Sequence, residues 1–207
     1  MYSMQTIYIV RHGQDEDNAK GLLNGRRDTP LTSLGESQAY ALANNIKESV
    51  DIRVDTIFCS PLKRAHRTAD IIAEVLELPL PVVLDDLIER DFGIMSGMPQ
   101  DKIVELCSPD ILKTPTVTYF LKPEGAETFP MLLDRAGKLL NRLKQDDGDV
   151  LLVTHGDFGK MLFADYFNLD WQDVLQSFHF GNSDLLELSP VTDPESAHRY
   201  LAEQYNL

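Results

Sequence analysis

Cysteine is almost missing from this sequence: Cys59 and Cys107 are the two present in 207 residues, far apart and outside any Cys-x-x-Cys spacing. That scarcity excludes a disulfide framework and a cysteine-rich structural zinc site, and free thiols suit a reducing cytosol. Positive charge is also short. Lys and Arg number 19 against 33 Asp and Glu, a formal net charge of −14 at pH 7. Phosphate backbones reward clustered Lys and Arg, so no nucleic-acid partner is expected. Long apolar runs are lacking, and none approaches the ~20 residues that span a bilayer, so no membrane partner is expected either. Thr6-Ile7-Tyr8-Ile9-Val10 is too short for a signal-peptide core and no basic segment precedes it. The expected location is cytoplasmic. Repeats and low-complexity tracts are absent, and nothing marks an oligomeric state.

What is present suits one globular domain over 1–207, since 43% hydrophobic residues at this length supply a sizeable core. Gln5 to Val10, Asp55 to Cys59 and Asp149 to Val153 are apolar, β-rich runs that predict buried strands. Val82-Val83-Leu84 predicts a short edge strand, and Leu185 to Leu188 another strand. Helices are expected behind Ser33-Leu34-Gly35-Glu36, which has capping-box spacing, and from Ser60 as N-cap with Pro61 at the first helical position through Leu76. Further helices are expected over Glu127 to Lys144, whose leucines share one face, from about Phe158, and from about Glu195. Residues 92–124 carry Gly93, Gly97 and four prolines and predict an insertion of loops and short helices. Alternating strands and helices, with strands apolar throughout, predict a three-layer α/β/α fold with a mostly parallel central sheet and that insertion over one end.

Two strand ends match. Tyr8-Ile9-Val10-Arg11-His12-Gly13 and Leu151-Leu152-Val153-Thr154-His155-Gly156 each place His-Gly at the carboxyl end of a buried strand, where open parallel sheets bind ligands. Gly13 and Gly156 allow a tight turn and a close approach to a ligand. The helix beginning near Asp157 would add its N-terminal amides to an anion pocket. His66, His179 and His198 lack such a context and are assigned surface or packing roles.

Cleaving a phosphomonoester through a phosphohistidine requires a neutral imidazole in line with the leaving oxygen, fixed cations on the equatorial oxygens, and a proton donor at the leaving group. The candidates are His12 as nucleophile, Arg11 and Arg64 as cations, and His155, cationic beside bound phosphate, as the second imidazole. Glu89 is a candidate acid, with Asp85, Asp86 and Asp91 as competitors in the same stretch.

Arg11-His12-Gly13 with Asn18 resembles the signature of the histidine phosphatase superfamily, also called phosphoglycerate-mutase-like. Asp28-Thr29-Pro30-Leu31-Thr32 with Gly35 and Gln38-Ala39 resembles its next block. Ser60-Pro61-Leu62-Lys63-Arg64-Ala65-His66-Arg67-Thr68-Ala69, Leu87-Ile88-Glu89-Arg90-Asp91-Phe92-Gly93 with Gly97, Pro123-Glu124-Gly125-Ala126-Glu127-Thr128, and Val153-Thr154-His155-Gly156 are similar to the later ones, in family order across nearly the whole chain. The resemblance implies that His12 accepts the phosphoryl group, that Arg11, Arg64 and His155 hold it, and that Glu89 is the acid and base. It further implies that Asn18, Asn24 and Gly25 line the pocket, beside Gly156, and that neither metal nor cofactor takes part. Residues 96–124 are short and hold no Arg, only Lys102, Lys113 and Lys122, whereas the family's mutases carry a longer insertion with paired arginines. The expected activity is therefore hydrolysis of a small phosphorylated metabolite, releasing inorganic phosphate. A cofactor-primed phosphoglycerate mutase and a non-catalytic phosphate-binding module are the alternatives. The leaving group is expected to face the insertion, where Met98, Tyr119 and Phe120 stand.

Overall fold

The fold follows from strands that are apolar on both faces and therefore need cover on both. In the computed structural model, which describes residues 5–144 and 148–199, β1 (Ile7–Arg11) leads into α1 (Glu16–Ala19) and α2 (Ser33–Glu48). Then come β2 (Thr56–Cys59), α3 (Lys63–Leu76) and β3 (Val82–Val83). The insertion holds α4 (Ile103–Cys107) and a hairpin of β4 (Ile111–Lys113) and β5 (Thr118–Phe120). The chain continues through α5 (Phe129–Leu143), β6 (Val150–Thr154), α6 (Gly156–Tyr166), α7 (Trp171–Ser177), β7 (Leu185–Leu188) and β8 (His198–Arg199).

The sheet order is β3-β2-β6-β1-β7-β8. β3, β2, β6 and β1 run parallel, while β7 and β8 add an antiparallel edge. Period-two alternation divides each strand between two cores. Tyr8, Val10, Leu151 and Val153 pack with Leu42 and Ile46 of α2 and with Ala65, Ala69 and Ile72 of α3. Ile7, Ile9, Val150 and Leu152 pack on the other face with Leu132, Leu139 and Leu140 of α5 and with Phe158 and Leu162 of α6. The expected three-layer architecture is present. Among the described residues no helix is long and apolar enough to cross a membrane.

Several boundaries differ from the sequence reading, each for a visible reason. The N-cap of α2 is Thr32, not Ser33, because the Thr32 hydroxyl accepts from the Gly35 amide. α3 begins at Lys63, after an N-cap Leu62 whose side chain makes no cap bond. Its first amide donates to Asp28 Oδ1 at 2.7 Å, so a distant loop does the capping. The Ser60 hydroxyl accepts from the Leu62 amide at 3.3 Å, ahead of the helix, and lies 2.8 Å from His155 Nε2. α6 starts at Gly156, before the expected Phe158. The helix expected from Glu195 is not seen in the described residues: Pro194–Ser196 form a turn, and His198 and Arg199 pair with β7 instead. There the Arg199 guanidinium bonds the Glu187 carboxylate at 2.8 Å and His198 meets Asp184. The rest of that segment lies outside the described residues.

Candidate active site

The site is assembled at the carboxyl ends of β1 and β6. His12 continues the ladder beyond β1, its amide donating to the Thr154 carbonyl at 3.0 Å. The chain then folds back against the start of α2 so closely that a Cβ at Gly13 would stand 2.2 Å from the Gly35 carbonyl oxygen. His12 is buried beside this turn. Nδ1 lies 2.7 Å from the Gly13 carbonyl oxygen, which can only accept, so Nδ1 carries the proton. Nε2 accepts from Arg64 Nε at 3.1 Å. Burial, then the charges of Arg64 and Arg11, hold the ring well below the usual histidine range, so it is a neutral imidazole whose Nε2 lone pair faces the cations.

Arg64 enters from the first turn of α3 and is fully buried. Its Nη1 donates to the Arg27 carbonyl at 2.6 Å and its Nη2 to the Gly25 carbonyl at 2.7 Å, while Asp15 Oδ2 stands 3.2 Å from Nε. Arg11 reaches across to the Phe180 carbonyl through Nη1 at 2.7 Å. His155 faces His12 edge-on, ring centroids 5.1 Å apart. Arg11 Nε and His155 Nδ1 are buried, and neither has a hydrogen-bond partner among the described residues. With no phosphate dianion beside it, His155 is a neutral imidazole. Burial, followed by Arg64, lowers its pKa well below the usual range.

Glu89 follows the short turn Asp85–Leu87 and is also buried. Its carboxylate accepts from the amides of Arg90 at 2.7 Å, Phe158 at 3.2 Å and Asp157 at 3.3 Å. The N-terminal amides of α6 thus hold Glu89, where the sequence reading aimed them at an anion. Burial and then the nearby Asp157 carboxylate push the Glu89 pKa up to about 7 against those bonds and the charges of Arg64 and Arg90. Its competitors point elsewhere. Asp86 pairs with Arg142 at 2.8 Å, Asp91 pairs with Arg26 at 3.4 Å, and Asp85 is exposed. A residue the sequence reading missed secures this segment. Arg135 of α5 donates through Nη1 to the carbonyls of Asp86 and Ile88, both at 2.7 Å, and its guanidinium lies 4.1 Å from the Phe158 ring centre.

Arg11, His12, Asn18, Asn24, Glu89 and Gly156 share the wall of one cavity of about 580 Å³. Arg64 and His155 are not part of that wall but are in contact with His12. Gly25 does not line it either: its φ of +49° turns its carbonyl to Arg64, and a Cβ there would come within 2.8 Å of the Phe92 ring. Asn24 secures Asp15 Oδ2 at 2.6 Å, and Asn18 Oδ1 accepts from Asn182 Nδ2 at 3.2 Å. Tyr119 and Phe120 of β5 contribute to the wall, whereas Met98 does not. Arg90, Lys160, His179 and Asn182 line it as well and were not predicted. His179, assigned a surface or packing role, is a wall residue whose pKa burial and then Arg11 push down to about 4. His198 does pack, against Phe178 with ring centroids 5.0 Å apart, and His66 sits at the surface near Asp70. Among the described residues no group of three or more His, Cys, Asp or Glu is placed to hold a metal ion.

The sequence profile of the histidine phosphatase superfamily (branch 1) matches residues 7–200, and the chain belongs to that superfamily. An uncharacterised phosphatase, PhoE, of Bacillus subtilis (strain 168) is 36% identical over 155 residues, covering 74% of this chain and 72% of the relative. A 2,3-bisphosphoglycerate-dependent phosphoglycerate mutase of Methylobacterium sp. (strain 4-46) is 34% identical over 158 residues, covering 73% of this chain and 75% of the mutase. A mycobacterial glucosyl-3-phosphoglycerate phosphatase solved with VO3 superposes with a TM-score of 0.76 at 25% identity, covering 98% of each chain. Chains of both activities are therefore similar to this one.

Proposed function

We propose that this protein is an enzyme that hydrolyses phosphomonoesters of small molecules through a phosphohistidine formed on His12 Nε2. The observation that carries the reading is the neutral His12 ring, its Nδ1 proton tied to Gly13 and its Nε2 turned to Arg64, in one cavity wall with the protonatable Glu89. In this reading the ester's phosphoryl oxygens take hydrogen bonds from the unpartnered Arg11 Nε and His155 Nδ1, while the Arg64 guanidinium, 3.1 Å from His12 Nε2, adds its charge beside the reacting nitrogen. Burial and then the field of Arg64 keep His155 neutral; the dianion offsets that field, and the ring gains its proton as phosphate binds. His12 Nε2 attacks phosphorus, the bond from phosphorus to the leaving oxygen breaks, and Glu89 gives that oxygen its proton. The alcohol leaves. Glu89, now a carboxylate, takes a proton from water as the water oxygen attacks the phosphohistidine, which releases inorganic phosphate and restores both residues.

A second reading, a bisphosphoglycerate-primed mutase, is favoured by the 34% identity to the Methylobacterium enzyme. Against it, residues 96–124 hold no Arg, and the nearby Arg90 is committed to Asp157 at 2.7 Å. Three assays separate the possibilities. Hydrolysis of p-nitrophenyl phosphate should fall by about a thousandfold or more in His12→Ala. An acid-labile phosphoenzyme should form in wild type and vanish in that variant. Isomerisation of phosphoglycerate that needs bisphosphoglycerate priming would replace the hydrolase reading by the mutase one. Equal inertness of wild type and His12→Ala would leave a phosphate-binding module.

A further inference from the structure

A phosphoryl group fills only a small part of a 580 Å³ cavity, so the remainder must receive the leaving group. Much of that remainder is apolar, faced by Leu23, Phe92, Ile103, Val117, Tyr119 and Phe120. Two cations border it, Lys160 and Arg90, and both are already engaged. An ammonium group has three donors. Those of Lys160 go to the Tyr119 hydroxyl at 3.1 Å, the Leu175 carbonyl at 3.2 Å and the Phe178 carbonyl. Burial also pushes the Lys160 pKa down to about 8, against the pull of Asp157. Arg90 gives Nε to Asp157 at 2.7 Å and Nη1 to the Glu127 carbonyl at 3.3 Å. Its guanidinium is enclosed by the rings of Phe92, Phe120 and Phe129, whose centres lie 4.9, 4.4 and 4.4 Å away. His179 is neutral near pH 7. The same wall carries three carboxyl groups, Glu89, Asp101 and Asp157.

From this wall we infer that the leaving-group half of the cavity accepts an uncharged, partly apolar alcohol and discriminates against leaving groups that carry a carboxylate or a second phosphate. This rests on the hydrolase reading. An anionic leaving group would shed its hydration beside Asp101 and Asp157; Lys160 has no donor to spare, and the uncommitted Nη2 of Arg90 belongs to a guanidinium enclosed by three rings and already balanced by Asp157. To recruit Lys160 it would have to strip one of three buried carbonyl or hydroxyl bonds, and to reach Arg90 Nη2 it would have to enter the aromatic enclosure beside Asp157, whose charge Arg90 already balances. A neutral ring or sugar face meets the aromatic wall at no such cost.

The test uses two esters of one shape, 4-carbamoylbenzyl phosphate and 4-carboxybenzyl phosphate, with p-nitrophenyl phosphate as a general substrate. Wild type should turn over the amide at least ~10-fold better in kcat/KM. The preference should persist in about 0.5 M salt, which screens repulsion by the acidic surface as a whole. Gln100→Lys, which sets a cation with free donors on the exposed lip of the cavity, should narrow the ratio several-fold. Turnover of p-nitrophenyl phosphate with equal turnover of the two benzyl esters, or with neither turned over, would overturn this inference alone. So would a ratio that disappears in salt or does not move in Gln100→Lys. Inertness toward all three esters would sink the hydrolase reading, and this inference with it.

Discussion

At the scale of single residues, protonation states decide what this site can do. His12 is kept neutral by burial and by Arg64, while Glu89, pushed up to about 7 by burial and Asp157, still holds its proton in mildly acidic solution. The two shifts run in opposite directions and give a base and an acid at one pH. For an alkyl phosphate, whose leaving oxygen needs the proton, kcat/KM should therefore fall as pH rises through about 7. Its acidic side should be shaped by the second ionisation of the substrate phosphate near pH ~6 rather than by His12. Glu89→Gln should abolish the alkaline limb and slow alkyl esters by ~10²–10⁴-fold, with a smaller effect on p-nitrophenyl phosphate. A pH profile that keeps its limb in Glu89→Gln would assign the proton to another group.

At the scale of elements, the site depends on contacts that hold strand ends and helix starts in register. The turn after β1 is pressed against the start of α2, where Gly13 and Gly35 each lack room for a side chain. A Cβ at Gly35 would meet the Gln14 carbonyl oxygen at 2.0 Å, the reciprocal of the Gly13 contact. Because both obstacles are backbone, a substitution must part the two segments. Gly13→Ala is expected to cost about 1–3 kcal/mol of stability, read from urea unfolding, and to lower kcat more than it raises KM by tilting His12. A variant as stable and active as wild type would show that this approach is not needed. On the other side of the cavity α5 and α6 cooperate: Arg135 clamps the carbonyls before Glu89, and the first amides of α6 take its carboxylate.

At the scale of the whole molecule, the net charge of −14 surrounds a cluster of cations and imidazoles that is itself short of protons. His12, His155 and His179 all have folded pKa values below the usual histidine range. Below about pH 6.5 the unfolded chain therefore binds protons at these positions that the native state does not, and stability falls with pH. Glu89 acts in the opposite sense, since the native state keeps its proton between 4.5 and about 7 where the unfolded chain has lost it. Three depressed histidines outweigh the raised Glu89 carboxyl in this range. The urea midpoint should drop between about pH 7 and about pH 5, where ordinary carboxylates are still ionised. His179→Gln should make that drop shallower. A midpoint that rises over this interval would contradict the buried neutral state of the histidines.

The sequence by itself determined β1, β2, β3, β6 and β7, their apolar faces and the two His-Gly strand ends at the rim; the β4–β5 hairpin and β8 were not legible in it. Strand periodicity divides Ile7 and Ile9 from Tyr8 and Val10, and His-Gly at the end of each apolar run marks the reactive edge. These are local properties, carried by alternation and by backbone freedom at glycine, and so they can be read along the chain. Tertiary structure alone decided the rest. The His12 tautomer, the raised Glu89 proton and the neutrality of His155 depend on desolvation and on charges that meet only after folding. The same holds for the donors of Lys160 and Arg90, for the clamp from Arg135, and for His179 in the cavity wall. Even the N-terminal amides of α6 were visible as donors in sequence, but not that Glu89, 68 residues before Asp157, would occupy them. A pattern of residue types encodes faces and ends; what each polar atom meets there is set by chain segments far away.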